Sequence, residues 1–245
     1  IFAPGTPEEC FYLTRKAVEL AQKYQSPMFV LTDQFLADSY RAIEPFDVDN
    51  LNSVNPVSNS EPNTMPYKRY VITETGISPR LLPGLTKNLV VADSDEHDEF
   101  GHITEDLAIR KSMVEKRMRK GKGIISEIIP PDYFGDDNPD LLFVSWGSTK
   151  GAVNEAVRNL ANYGIRSASL HFSQIFPLNP SQFIARLENA KNVISVEGNF
   201  TGQFANLLRQ QTGFLISKQI HKYDGLPFTS KFILQKYKEF FNENS

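Results

Sequence analysis

Apolar and polar positions along the chain follow two rhythms, one of helical period and one of short unbroken apolar runs. Thr6 is placed to cap a helix whose first turn holds Pro7, Glu8 and Glu9, with Glu9 in capping-box position. Phe11, Leu13, Ala17, Val18, Leu20 and Ala21 then recur at helical spacing as far as Tyr24. After Ser26 and Pro27, the run MFVLTD predicts a buried parallel strand that turns at Asp33. A further helix is predicted from about Thr104 to Lys120, its basic end EKRMRKGKG suited to a helix C-terminus and Gly121 placed to stop it.

Beyond Asp136 the pattern becomes regular. DLLFVSWGS, RSASLHF, KNVISVEGN and FLISKQIHKYDG read as strands. TKGAVNEAVRNLANYG, PSQFIARLENA and TGQFANLLRQQTG read as the helices between them, the first stopped by Gly164 and the last by Gly213. Such alternation predicts an α/β fold with a doubly wound, mainly parallel sheet. Between Pro45 and Pro66 the composition shifts to Asn, Ser, Pro and Asp, the signature of a linker or surface excursion.

Composition narrows the function classes. The 26 basic and 29 acidic residues leave a net charge of -3, which gives no overall pull toward nucleic acid or an anionic membrane. No stretch approaches a membrane span and no signal peptide is evident, so a cytoplasmic location is the expectation. Cys10 is the single cysteine, which rules out an intrachain disulfide and a four-cysteine iron–sulfur or zinc site supplied by these residues alone. The sequence opens at Ile1 directly onto a helix-start signal, so a longer parent protein is expected.

Four stretches carry candidate chemistry. WGST, Trp146 to Thr149, lies between a strand and a helix, where backbone N–H groups can cradle a phosphate or Ser148 or Thr149 can serve as an N-cap. It is neither a Walker A loop nor GxGxxG. VEGNFTGQ sets Glu197 at the carboxyl end of a strand, where α/β proteins place ligand groups or subunit contacts. DSDEHDEFGH clusters acids with His97 and His102, but the five-residue spacing of the imidazoles is not that of HExxH and no EF-hand pattern fits. TETGISPRLLPG wraps Gly76, Pro79, Pro83 and Gly84 around Arg80, whose fork of donors suits a carboxylate, a phosphate or loop-bracing carbonyls.

Taken in order, these stretches resemble the alpha subunit of 2-oxoacid:ferredoxin oxidoreductases, particularly the 2-oxoglutarate type. The resemblance rests on APGTPEECFYLTRKAVELAQKYQSPMFVLTDQFLADS, YKRYVITETGISPRLLPG, DSDEHDEFGHITED, Lys116–Arg117, LLFVSWGSTKGAVNEAVRNL and VEGNFTGQ. It implies that residues 1–45 are the tail of a pyrimidine-binding thiamine diphosphate domain, 46–135 a linker and connector, and 136–245 a transketolase C-terminal-like domain. It further implies thiamine diphosphate with Mg bound mainly outside these residues, coenzyme A as co-substrate, and an iron–sulfur cluster on a partner. The implied partners are a beta subunit and ferredoxin, with no nucleic acid and no membrane. The family's substrate motif and thiamine-activating glutamate have no matching position here, so no catalytic residue is assigned and the chain alone is expected to be inactive. Arg80, Glu96, His97, His102 and Glu197 become candidates for interface or active-site bracing, the charged ones because no internal partner is visible. The alternatives are a pyruvate or branched-chain 2-oxoacid oxidoreductase subunit, or a non-catalytic nucleotide-binding or assembly module.

Overall fold

The computed structural model of the chain describes residues 1–51 and 66–242, so most of the expected linker lies outside the described residues. Two compact units emerge. One comprises residues 1–17, 29–46 and 128–245, the other residues 18–28 and 47–127.

The first unit is built on a five-stranded sheet of order β1-β3-β2-β4-β5. Its strands are β1 (Asp132–Gly135), β2 (Leu141–Trp146), β3 (Ser167–Phe172), β4 (Asn192–Glu197) and β5 (Lys218–His221). β2 runs parallel to β3 and β4, and β4 parallel to β5, as the pattern predicts. The edge strand β1 is antiparallel to β3 and was not foreseen, because DYFG is short, half exposed and ends in a glycine at φ +121°. Alternate side chains of the central strands feed two cores. Leu142, Val144, Leu170 and Phe172 pack with Leu187 of α5 (Ile184–Asn189) and with Phe204 and Leu208 of α6 (Gln203–Thr212). Leu141, Phe143, Ile194 and Val196 pack with Val153, Val157 and Leu160 of α4 (Lys150–Asn162) and Ile233 of α7 (Ser230–Asn242). Each such fully buried side chain contributes about 1.5–3 kcal/mol. Gly164 and Gly213 end α4 and α6 as predicted, at φ +74° and +78°. α7 had no counterpart in the sequence reading.

α1 (Pro7–Tyr24) starts as expected, with the Glu9 N–H donating to Thr6 Oγ1 at 3.2 Å and the Gly5 N–H to Glu9 Oε2 at 2.6 Å. MFVLTD does not form the expected buried strand. Its only ladder partner among the described residues is Phe2, which donates to Phe29 O and accepts from the Leu31 N–H at 2.8 Å each. One residue of pairing leaves Phe29 and Leu31 56% and 43% exposed. A short α2 (Gln34–Ala37) follows, its Leu36 N–H donating to Asp33 Oδ1.

The second unit holds the end of α1 and α3 (Leu107–Ile125). α3 runs through Gly121 instead of stopping there, and Asp106 caps its start. Gly123 accounts for part of this length: a Cβ there would lie 2.6 Å from the Tyr24 ring, so glycine lets the two helices approach. The Tyr24 hydroxyl donates to Glu127 Oε1 at 2.5 Å, and its pKa is pushed up to about 12 by burial and by that carboxylate. Between Pro66 and Asp106 the backbone forms no helix or strand, and polar side chains hold it. Glu99 accepts from Lys68 and the Ile72 N–H, and Asp98 accepts from the N–H groups of Phe100, Gly101 and His102. Among the described residues no helix is long and apolar enough to cross a membrane.

One buried group in the sheet makes stability pH-dependent. His171 on β3 is 1% exposed, with Nδ1 3.0 Å from Ser145 Oγ and Nε2 without a partner among the described residues. Burial, and secondarily the Lys150 charge, bring its pKa from 6.5 down to about 3. The unfolded chain therefore takes up this proton first as pH falls. The stability His171 contributes is complete above about pH 6.5 and is lost progressively toward pH 3, at up to about 1.4 kcal/mol per pH unit. Urea midpoints measured from pH 7 to pH 4 should fall more steeply for the native chain than for His171→Asn, and equal slopes would remove His171 as the cause.

Candidate functional site

The sheet order itself marks a place for a site. From the central β2 the chain passes to β3 on one side and then crosses to β4 on the other, so the loops leaving β2 and β4 diverge, and α/β folds bind ligands in such crevices. In the first unit a cavity of 1210 Å³ opens there, walled by Trp146, Asn199, Tyr223 and Phe228 and edged by Asp33 and Lys222.

The loop after β2 turns at Gly147, whose φ of +59° favours glycine. Gly147–Thr149 is a 3-10 turn that puts Thr149 already in helical geometry, so its Oγ1 donates back to Trp146 O at 2.7 Å. Ser148 Oγ donates instead to Asp33 Oδ2. Neither hydroxyl caps α4, which departs from the expected N-cap. The Lys150 ammonium at the start of α4 bonds Glu9 and, at 2.5 Å, Asp132.

Glu197 lies buried behind the other wall, next to the lining residues Gly198 and Asn199. It is fully buried at the end of β4, and its carboxylate accepts from Trp146 Nε1 at 3.2 Å and from Asn199 Nδ2, Phe204 N and Ala205 N at 2.8 Å each. Two of these donors are first-turn N–H groups of α6, so Glu197 is the anion at that helix N-terminus. What Glu197 braces is thus α6 and the end of β2. With these donors and the Ser148 hydroxyl engaged by carboxylates, the crevice is shaped for an uncharged or aromatic surface more than for a phosphate.

The other sequence candidates lie in the second unit. Arg80 is half buried and its Nη2 donates to Gln22 Oε1 at 2.5 Å, a side-chain amide carbonyl. The loop around it is stiffened mainly by hydrogen bonds. Tyr67 Oη donates to Pro79 O and accepts from the Leu81 N–H, Ser78 Oγ donates to Val71 O, and Gln25 Nε2 donates to Ser78 O. Gly76, at φ +80°, is required by contact: a Cβ there would lie 2.2 Å from Lys116 O. Glu96 has an internal partner after all, Arg117, which holds it bidentately at 3.0 and 2.9 Å and keeps its carboxyl below the usual range. The His97 ring lies 3.8 Å from that of Tyr70, and His102 is exposed beside Asp98 at 3.7 Å. Among the described residues no three His, Cys, Asp or Glu side chains group to hold a metal ion.

Asp33, Lys222 and Lys116 were not singled out for chemistry. No motif marks them, although Asp224 and Leu36 bond Lys222 and Asp33 from within three residues.

The family profile described as pyruvate flavodoxin/ferredoxin oxidoreductase, thiamine diphosphate-binding, matches residues 1–116. The 2-oxoacid:ferredoxin oxidoreductase 2 alpha subunit of Aeropyrum pernix is 35% identical over 94% of this chain and 36% of its own length. The corresponding alpha subunit of Saccharolobus solfataricus is 34% identical over 93% of this chain and 36% of its own. The structure of 2-oxoglutarate:ferredoxin oxidoreductase from Magnetococcus marinus, with 2-oxoglutarate, coenzyme A and succinyl-CoA bound, superposes on 97% of this chain and 41% of its own with a TM-score of 0.87 and 29% identity. The chain spans about a third of the length of the curated relatives it matches.

Glu197→Gln should lower unfolding stability by about 2–4 kcal/mol, because one accepting carboxylate oxygen becomes a donating amide NH2 that faces donors. Trp146 is the only tryptophan in the sequence, so its fluorescence reports the change directly. A variant with native stability and an unshifted emission maximum would show that the carboxylate does not hold α6.

Proposed function

We propose, since this chain belongs to the alpha-subunit family of 2-oxoacid:ferredoxin oxidoreductases, that it forms part of such an enzyme and serves the oxidative decarboxylation of a 2-oxo acid. In that reaction the carboxylate leaves as CO2, the acyl group passes to the coenzyme A thiol, and two electrons pass to ferredoxin. The observation that carries the reading is the near-complete match of this chain, 94% at 35% identity, to an alpha subunit of that name. The substrate we favour is 2-oxoglutarate, supported by the ligands of the Magnetococcus marinus structure and by the 2-oxoglutarate oxidoreductase subunit KorA of Mycobacterium tuberculosis, 26% identical over 93% of this chain. The broader name of the more similar relatives keeps pyruvate and branched-chain 2-oxo acids as the second reading.

Thiamine diphosphate supplies an ylid and electron sink for this chemistry when bound. Glu197, the buried carboxylate among the described residues, does not fit it, since it already accepts four hydrogen bonds from Trp146, Asn199, Phe204 and Ala205. Cys10 alone cannot ligate an iron–sulfur cluster, so the electron path runs through a partner in this reading, with a beta subunit and ferredoxin as the partners and the cytoplasm as the location. The role left to this chain is architectural, with Arg80, Glu96, His97 and His102 supporting a boundary and Glu197 the crevice wall.

Calorimetry of the 245-residue chain with thiamine diphosphate and Mg should give no saturable heat, while its full-length parent assembled with a beta subunit should reduce ferredoxin with 2-oxoglutarate and coenzyme A faster than with pyruvate. Micromolar cofactor binding would contradict the assignment of the cofactor site, and coenzyme A-dependent turnover of neither acid would contradict the enzyme reading.

In the same assembly Arg80→Lys keeps the charge but loses the planar fork, and should weaken subunit association with kcat and KM near native. Intact assembly with a large rise in KM would instead make Arg80 a substrate-carboxylate ligand.

A further inference from the structure

Among the described residues α3 leaves one apolar row exposed. Met113 and Lys116 are the buried residues of this helix and mark the side that packs inward. Away from that side, Leu107, Val114, Met118 and Ile125 are 40–80% exposed. They follow one another at intervals of seven, four and seven residues, so at about 3.6 residues per turn they stand in a single line along the helix, roughly 27 Å long. The line begins and ends with the helix itself, Leu107–Ile125. Exposed apolar side chains scattered singly are ordinary, but four aligned over the whole length of a helix form a seam of the kind that packs on another helix.

The seam is held ready for a partner. Asp106 caps the helix immediately before Leu107, and Gly123 lets the far end pack on Tyr24. A face fixed in this way loses little entropy on docking. Charge then decides what fits. Along one side of the row Arg117 and Arg110 share the single carboxylate of Glu96, at 2.9 and 3.7 Å. Along the other side Lys111 and Lys122 are exposed and make no hydrogen bond or ion pair among the described residues. Glu115, on that side, is the only acid in the helix, so both flanks keep a net positive charge. Flanking charges choose the partner of a helical seam. A second copy of this chain would set like charges against like. A lipid surface calls for a broad apolar face with aromatic side chains, whereas this row is one residue wide and holds no aromatic.

We propose that this row on α3 is the docking site for an amphipathic helix of a protein partner, apolar along its own seam and acidic on its flanks. The proposal does not depend on the oxidoreductase reading and is tested without turnover.

The test is fluorescence anisotropy of a labelled synthetic helix with Leu at its seam positions and Glu on both flanks, titrated with the 245-residue chain. The control is the same peptide with Lys in place of each Glu. The Glu-flanked peptide should bind at one site, about tenfold or more tighter than the Lys-flanked one, and should weaken as salt is raised. Met118→Gln, at an exposed position, should lose about tenfold in affinity for it with the Tm unchanged. Lys111→Glu combined with Lys122→Glu should reverse the preference between the two peptides. Equal binding of both peptides, binding of neither, or native affinity in Met118→Gln overturns the proposal. So does co-sedimentation with phosphatidylcholine–phosphatidylserine vesicles that Met118→Gln abolishes, which would make the row a membrane contact. Dimerisation of the chain that Met118→Gln abolishes overturns it as well, by making the row a contact between copies.

Discussion

The crevice of the first unit depends on one fully buried carboxylate. Glu197 receives the indole N–H of Trp146 from the end of β2, the Asn199 amide from its own loop and two N–H groups from the start of α6. It therefore joins the two strands whose loops part at the switch point, and it supplies the negative charge that the helix terminus favours. A buried acceptor with this many donors is costly to disturb, since every donor released would also be left without water. The same arrangement shapes the site chemistry, because the N–H groups that could have cradled a phosphate are already taken.

The two units use different physics. In the first, parallel strands with apolar residues on both faces are covered by helices on both sides, so burial of area dominates. In the second, forty residues without regular structure are held by side chains bonding backbone groups, among them Tyr67, Ser78, Asp98 and Glu99. A long coil needs this, because its peptide groups lack ladder partners.

The similarity to alpha subunits of 2-oxoacid:ferredoxin oxidoreductases sits comfortably with this division of labour. In the function proposed for it, where a cofactor would perform the difficult bond-breaking, this chain would supply rigid surroundings more than reactive side chains. The hydrogen-bonded loop of Thr73 to Gly84 and the clamp of Glu96 by Arg117 are rigid parts in that sense.

The sequence by itself determined β2, β3, β4, β5, α4 and α6, because unbroken apolar runs and helical periods are local signals and glycine at a helix end needs only its own φ. It also carried the capping box of α1, which spans a few residues, and the family, through the order of several motifs. The tertiary structure decided the rest. MFVLTD carries a strand's composition, but among the described residues its backbone pairs only with Phe2, and a strand exists only where its N–H and C=O groups find a neighbour. Gly121 carried a stop signal that α3 overrode while Gly123 packed on Tyr24. Arg80 found Gln22, Glu96 found Arg117 and Glu197 found α6 through contacts between residues far apart in the chain or across a turn. Lys116 was legible only as part of a basic helix end; that it is buried, with its backbone O packed against the turn at Gly76, was decided by the fold. Periodicity records which face of an element is apolar, whereas the partner of a polar group is fixed only when the chain closes upon itself.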